Sequence, residues 1–304
     1  MRPYTHTRPL TRPRPPVQTF AGPTPAPVPV SISTPPPPPP PPSTPPRPHK
    51  TTNIVITTTA TLRSSILQHT LSTFLPRLFY PNRAYSLHFV INIDPVGPDT
   101  IPSMLSTISS IPYPTTVFMP AHASFPRAFI RNWREALNLN ADYVFYLEDD
   151  WILNYYVDLP HLLNIFSRYP KLQILRFLPR PSSNIGTKIG RVSIPYNGDF
   201  FELHNSDIHS MGYGGNPSLI RRSFVSNTIN YLTVLDDPEY LLKGHSTQTK
   251  QYMKDKLFGF FGYLDSPPLV SDIGRKWRAE NHYDKIGLHG SFTNWSIRKG
   301  NSAP

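Results

Sequence analysis

Tyr143-Val144-Phe145-Tyr146-Leu147-Glu148-Asp149-Asp150-Trp151 is an apolar, aromatic-rich run that stops at three consecutive carboxylates. Unbroken apolar and aromatic residues suit a strand buried on both faces, and the Tyr, Val and Phe content favours strand over helix. Acids packed at the end of such a strand repel one another unless a cation joins them. Hard oxygen ligands of this kind suit Mg²⁺ or Mn²⁺, which in turn can hold the phosphates of a nucleotide. Taken alone, the triplet reads equally well as an acidic cap on whatever follows the strand, so the surrounding chain has to decide.

Upstream, Pro126 to Leu139 places Phe129, Trp133, Ala136 and Leu137 on one face of a helix that opens on proline. Before it, Thr115–Met119 reads as a strand and Ile101–Ile108 as a short helix. Tyr85 to Ile93 is a further strand, closing at Asp94-Pro95-Val96-Gly97. Asn53 to Thr58 is the first strand, and it feeds a helix whose face is Leu62, Ile66, Leu67, Leu71, Phe74, Leu75 and Leu78. Strand and helix alternating so regularly predict an α/β fold, a mainly parallel central sheet with helices on both faces. Ligands of such sheets sit beyond the carboxyl ends of the strands. Asp94 and Glu148–Asp150 are both at such ends and are expected to face one crevice.

The second half is less regular. Leu172–Phe177 reads as a strand, Pro179–Gly190 as a loop, and two or three short strands are expected between Arg191 and Met211. A turn-rich Gly212-Tyr213-Gly214-Gly215-Asn216-Pro217 follows. Leu219–Val225 and Pro238–Lys254 are expected as helices, the latter opened by Asp236-Asp237-Pro238-Glu239 with its acids at the positive end of the dipole. Leu257–Leu264 is a last aromatic strand, and the chain from Asp272 is polar, basic and aromatic.

Composition divides the chain. Residues 1–50 hold 20 of the 39 prolines, six basic residues and no acid, which predicts a disordered basic tail with polyproline II stretches. It reads as a solvated spacer, a Pro-rich ligand for a partner's aromatic groove, or a segment attracted to anionic surfaces. Residues 51–304 have globular composition and a net charge of only +5, from 24 basic and 19 acidic residues. With no cysteine, disulfides, thiolate nucleophiles and Cys-based zinc sites are excluded. No apolar run is long enough to span a membrane, and no apolar stretch follows the basic N-terminal residues as in a signal peptide. A cytoplasmic protein is expected.

With these pieces placed, residues 53–295 or so resemble GT-A fold glycosyltransferases of the family-2-like group, through an ordered series of weak motifs. The motifs are Ile54-Val55-Ile56-Thr57-Thr58-Thr59 through Arg63, the strand ending in Asp94, the pair Arg131-Asn132, and Glu148-Asp149-Asp150 in place of Asp-x-Asp. The resemblance implies a nucleotide-sugar-binding half at 51–151, and an acceptor half with a C-terminal lid at 152–304. It implies donor contacts from Thr57, Arg63, Asp94, Arg131, Asn132, Glu148 and Asp149, with Arg275, Arg278 and Lys285 of the C-terminal run meeting the diphosphate. Mn²⁺ or Mg²⁺ falls to Asp150, with Glu148 and His289 (or His282) completing its surroundings. Asp237, with Glu239 in reserve, would be the base that takes the proton from an acceptor hydroxyl, making the transfer inverting. Asp236-Asp237-Pro238-Glu239 also reads as an ordinary acidic first turn, and Gly214–Pro217 as a plain turn.

Three departures matter. Glu148 stands where the family has Asp, the Gln-x-x-Arg-Trp string of processive synthases is absent, and the Pro-rich tail has no counterpart in the family core. A single sugar transfer is therefore expected, to a glycan, protein, lipid or nucleic acid. A nucleotidyltransferase shares a similar sheet, but Thr57-Thr58-Thr59-Ala60-Thr61 lacks the glycines of its phosphate loop. A scaffold acting through its tail leaves the acid triplet unexplained, and no nucleic-acid-binding motif appears in the core.

Overall fold

A computed structural model describes residues 51–179, 195–203, 213–263, 266–289 and 292–297, without the side chains of 284–289 and 292–297. Among these residues the central feature is an eight-stranded sheet. Its strands are β1 (Thr52–Thr61), β2 (Tyr85–Asp94), β3 (Thr115–Phe118), β4 (Tyr143–Glu148), β6 (Leu172–Phe177), β7 (Phe201–Glu202), β8 (Ser218–Arg221) and β9 (Leu257–Phe261). The spatial order is β3-β2-β1-β4-β8-β6-β9-β7.

The first half is parallel throughout: β3 on β2, β2 on β1 and β1 on β4. Helices α1 (Ser64–Arg77), α2 (Ile101–Ile108) and α3 (Phe125–Asn138) connect these strands. Two of them start at caps written into the sequence. Thr100 and Ser124 cap α2 and α3 by accepting from Ser103 N and Arg127 N at 3.4 Å, and both helices carry proline in their first turn. Helix α4 (Leu159–Arg168) then leads into β6.

β1 runs three residues further than its apolar run suggests. The β-branched Thr57-Thr58-Thr59-Ala60-Thr61 continues the strand beside β2 and β4 instead of turning. β8 is a second difference. Leu219 and Ile220 are buried strand residues, antiparallel to both β4 and β6, and the helix begins only at Arg222. Four of the seven pairings are parallel, the antiparallel ones being β4–β8, β8–β6 and β9–β7. The helix expected over Pro238–Lys254 is broken: Gly244 adopts φ 80° within the wide turn at Leu241–His245, and a separate helix spans Thr247–Met253.

An aromatic core fixes the sheet to its helices. Phe145 of β4 meets Phe79 edge-on at 5.1 Å and Phe177 of β6 at 5.4 Å, while Phe74 of α1 closes the cluster. Each such buried ring contributes roughly 1.5–3 kcal/mol, so β4 is anchored hard up to the residue before its acids. Two small pairs lie outside the central sheet: β5 (Trp151–Leu153) with β10 (Val270–Asp272), and β11 (Tyr283–His289) with β12 (Phe292–Ile297). No helix among the described residues is long and apolar enough to cross a membrane.

Candidate functional site

Register brings the strand ends together. Thr61, the last residue of β1, stands beside Asp94 at the end of β2, and Thr59 beside Glu148 at the end of β4. Beyond these ends opens a cleft lined by Thr59, Thr61, Arg63, Asp94, Glu148–Asp150 and Arg278.

The three acids of the triplet have different surroundings. Asp149 has a protein donor on each oxygen: one accepts from Arg63 at 2.6 Å, the other from Thr61 N at 3.0 Å. Asp150 lies 3.3 Å from the same guanidinium, and its carbonyl accepts from Ile273 N. Burial, then the charge of Asp149, pushes the Asp150 carboxyl up to about 6, against the pull of Arg63, while Asp272 adds to the rise and Arg278 opposes it. Glu148 turns away from this pair and accepts from the Tyr146 hydroxyl at 2.7 Å.

Arg63 is the cation the triplet calls for. It is buried, and the charges of Asp149 and Asp150 raise its pKa in spite of the opposing effect of burial. The Trp277 ring lies 5.1 Å from its Cζ. Its Nε and Nη1 are buried without a hydrogen-bond partner.

Among the described residues no group of three or more His, Cys, Asp or Glu side chains is placed to hold a metal. Mg²⁺ at nucleotide sites is commonly held by only one or two carboxylates plus substrate phosphates, and a buried carboxyl with excess negative charge around it fits that role. Asp150 is such a group, whereas the oxygens of Asp149 are engaged by protein. The side chains of Lys285 and His289 fall outside the described residues.

Asp94 is the other acid of the cleft. One oxygen accepts from Asn92 Nδ2 at 2.9 Å, the other from Ser124 N at 3.1 Å. Burial pushes its carboxyl up to about 6, against these bonds and Arg131. Arg131 donates to Asn92 Oδ1 at 3.1 Å and lies over the Phe118 ring, so it supports Asp94 through Asn92. Asn132 instead faces inward and donates to Thr58 O at 2.9 Å, tying α3 to β1. Thr57 is buried in mid-strand against β4. Neither residue lines the cleft; Thr59 and Thr61 do.

On the other side of Glu148, Gly214 and Gly215 carry the chain through a crowded spot. A Cβ on Gly215 would stand 2.6 Å from Glu239 Oε1 and 3.0 Å from Glu148 Oε1, and one on Gly214 would run into the Arg176 guanidinium. Two carboxylates therefore share one glycine face. Trp151 Nε1 donates to Gly215 O at 3.1 Å and fixes the turn from outside. The Asp237 side chain accepts from Glu239 N at 2.8 Å as a cap. The buried hydroxyl of Tyr213 has no hydrogen-bond partner. Arg176 and Tyr213 carry no sequence signal of their own. Arg176 is a lone cation in a buried strand, a pattern that hints at a buried partner without naming it.

The segment Asp272–Arg278 folds back onto the triplet. β10 pairs with β5 so that Asp272 stands opposite Trp151, and a Cβ on Gly274 would strike the Asp150 carboxylate. Arg278 reaches the cleft. Arg275 does not: it pairs with Asp272 at 3.0 Å with its side chain 83% exposed.

No protein-family model and no curated protein matches the chain. Among solved structures it is similar to the mannosyltransferase PcManGT from Pyrobaculum calidifontis in complex with GDP-Man and Mn²⁺, with 13% identity over 72% of this chain and 59% of that one, at a TM-score of 0.47. It is also similar to S. aureus TarS (12% identity, 73% of this chain, TM-score 0.46), of which it spans 36%. A third is CMP:2-keto-3-deoxy-manno-octonic acid synthetase complexed with CTP (12% identity, 76% of this chain and 98% of that one, TM-score 0.41).

Proposed function

We propose that this chain is a glycosyltransferase that moves one sugar from a nucleotide-sugar donor to an acceptor hydroxyl with inversion. The observation that carries the reading is the meeting of two polar systems at Glu148. On one side the ends of β1, β2 and β4 line a cleft with Arg63, Asp94, Asp150 and Arg278; on the other Glu239 comes up against Glu148 over Gly215.

In this reading Asp94 orients the base or ribose of the donor, and Arg278 meets its diphosphate. A divalent cation at Asp150, when bound, neutralises charge that builds on the leaving nucleoside diphosphate. Glu239 takes the proton of the acceptor hydroxyl. That oxygen then attacks the anomeric carbon as its bond to phosphate breaks, and the nucleoside diphosphate leaves. Glu239 is favoured over Asp237 because the Asp237 side chain faces its own backbone turn. Attack from the face opposite the leaving group gives inversion. The absence of cysteine fits a reducing compartment such as the cytoplasm.

The test is hydrolysis and transfer across UDP-, GDP-, CMP- and dTDP-sugars, with Mn²⁺ or EDTA, on wild type and Asp150→Ala. Slow metal-dependent release of one nucleotide, lost in the variant, is expected and identifies the donor base. No turnover and no metal-dependent nucleotide binding in any combination overturns the reading.

A further inference from the structure

Arg63 stands at the start of α1, and that helix start is tied to the end of β4. The Arg63 carbonyl accepts from Leu67 N at 3.1 Å, and the Thr70 hydroxyl of the same helix donates to Asp149 O at 2.6 Å. The Arg63 side chain is only 5% exposed, and its Nη2 alone serves both Asp149, at 2.6 Å, and Asp150, at 3.3 Å. Nε and Nη1 have no hydrogen-bond partner among the described residues. Buried donors left unsatisfied cost stability. What the residue supplies is one fixed positive charge against two adjacent carboxylates, which would otherwise disfavour each other's ionised forms.

The same carboxylates are where the divalent cation of the proposed function belongs. Asp150 Oδ2, the oxygen facing Arg63, is also the atom nearest to a Cβ placed on Gly274, so the carboxylate is enclosed between the guanidinium and the Gly274 backbone. Any cation held by Asp150 shares it with the guanidinium. Asp149 and Asp150 carry two negative charges, and Arg63 offsets one of them at contact distance. The neighbouring acids are engaged elsewhere: Glu148 with the Tyr146 hydroxyl, Asp94 with Asn92 and Ser124 N, and Asp272 with Arg275. The phosphates of a nucleoside diphosphate bring the missing negative charge, and Mg²⁺ at nucleotide sites is commonly held by one or two carboxylates together with such phosphates.

We infer that Arg63 is the resident cation of the Asp149–Asp150 pair and a specificity-determining residue, which keeps a free divalent cation off Asp150 so that the carboxylate takes one up only together with the phosphates of the nucleotide. The inference rests on the proposed transferase reading for the identity of the ligands, but its test needs no sugar transfer.

The experiment titrates Mn²⁺ into wild type, Arg63→Met, Arg63→Gln and Arg63→Lys, alone and with UDP, GDP or CDP, by electron paramagnetic resonance and calorimetry, with melting curves alongside. Wild type is expected to bind Mn²⁺ alone about tenfold or more weakly than with its nucleotide, within the ordinary range for coupled sites. Arg63→Met is expected to bind Mn²⁺ alone about tenfold more tightly than wild type, and to melt at a higher temperature with Mn²⁺ than without, because an ion bound only by the folded state stabilises it. Arg63→Lys keeps the charge and stays within about threefold of wild type. Adding Asp150→Asn to Arg63→Met removes the gain, which places the ion at the pair. Equal Mn²⁺ affinity of wild type and Arg63→Met without nucleotide overturns the inference, as does wild type binding Mn²⁺ equally well with and without nucleotide. A gain in Arg63→Lys as large as in Arg63→Met, or one that survives Asp150→Asn, overturns it too. If Arg63→Met gains affinity for Mn²⁺ while no form binds a nucleotide, exclusion of the free ion by Arg63 is supported and the transferase reading alone fails. Should Arg63→Met fail to fold, Arg63→Gln, neutral yet able to donate to Asp149, decides by the same comparison.

Discussion

Arg63 Nη2 lies 2.6 Å from Asp149 Oδ1 and 3.3 Å from Asp150 Oδ2, so one buried guanidinium serves two consecutive carboxylates. Removing it leaves two like charges side by side at the end of β4. Arg63→Met is therefore expected to destabilise the fold by about 3–5 kcal/mol, the cost of breaking a buried pair on one side only. Adding Asp149→Asn to that variant restores part of the loss, since the stranded charge is gone. Urea unfolding midpoints of the two variants check this, and an Arg63→Met protein as stable as wild type contradicts it.

Asp94 links stability and binding to pH with opposite signs. Burial holds its carboxyl at about 6 in the fold, above the ordinary carboxylate value, against Asn92, Ser124 N and Arg131 and with the charge of Asp149 adding to the rise. The folded state thus binds the proton more tightly than the unfolded chain. Its contribution to stability is fully present at low pH and is lost as pH rises from the unfolded value through about 6. A nucleotide whose donors need the ionised Asp94 behaves the other way, binding about tenfold more weakly per pH unit below that value. Thermal melts of wild type and Asp94→Asn between pH 4.5 and 7.5, with and without the nucleotide, should show both trends, at roughly one carboxyl's worth. Affinity flat across that range contradicts the assigned role of Asp94.

What was legible in the sequence follows from what periodicity and composition can encode. The aromatic run into Glu148 and the strand into Asp94 were readable because buried parallel strands are continuous apolar stretches. Their common crevice followed from strand direction alone. The limit of β1 was less readable: Thr57–Thr61 is polar enough to suggest a turn, yet its β-branched residues keep it in the sheet. That extension moved the cleft lining from Thr57 to Thr59 and Thr61. β8 was misread because Leu219–Val225 is short enough to suit either helix or strand. Arg176, Tyr213 and Gly274 were invisible as site residues, since their roles depend on contacts with residues distant in the chain, such as Asn216, 40 positions from Arg176, and Asp150, 124 positions from Gly274.

The two crowded glycines predict separable defects. A Cβ on Gly215 would press on Glu239 and Glu148, while one on Gly274 would press on Asp150. Gly215→Ala is expected to lower transfer by about 100-fold, the effect of moving a catalytic group by an ångström, and to leave nucleotide binding intact. Gly274→Ala is expected to abolish metal-dependent nucleotide binding. Calorimetric titration alongside transfer assays separates the two, and identical phenotypes count against two distinct halves of the site.

The C-terminal run contains its own control. Arg275 and Arg278 are neighbours three residues apart on one short helix, yet Arg278 lines the cleft near Asp150, whereas Arg275 is exposed and paired with Asp272. A charge-assisted bond to phosphate contributes about 1.5–3 kcal/mol. Arg278→Ala should therefore weaken nucleoside diphosphate binding by about tenfold or more and reduce its salt dependence. Arg275→Ala should change it by less than about twofold, as an exposed pair contributes little. Nucleoside binding, which lacks the diphosphate, should be indifferent to both. If Arg275→Ala proves the more damaging, Arg275 and not Arg278 meets the diphosphate, and the assigned role of Arg278 is overturned.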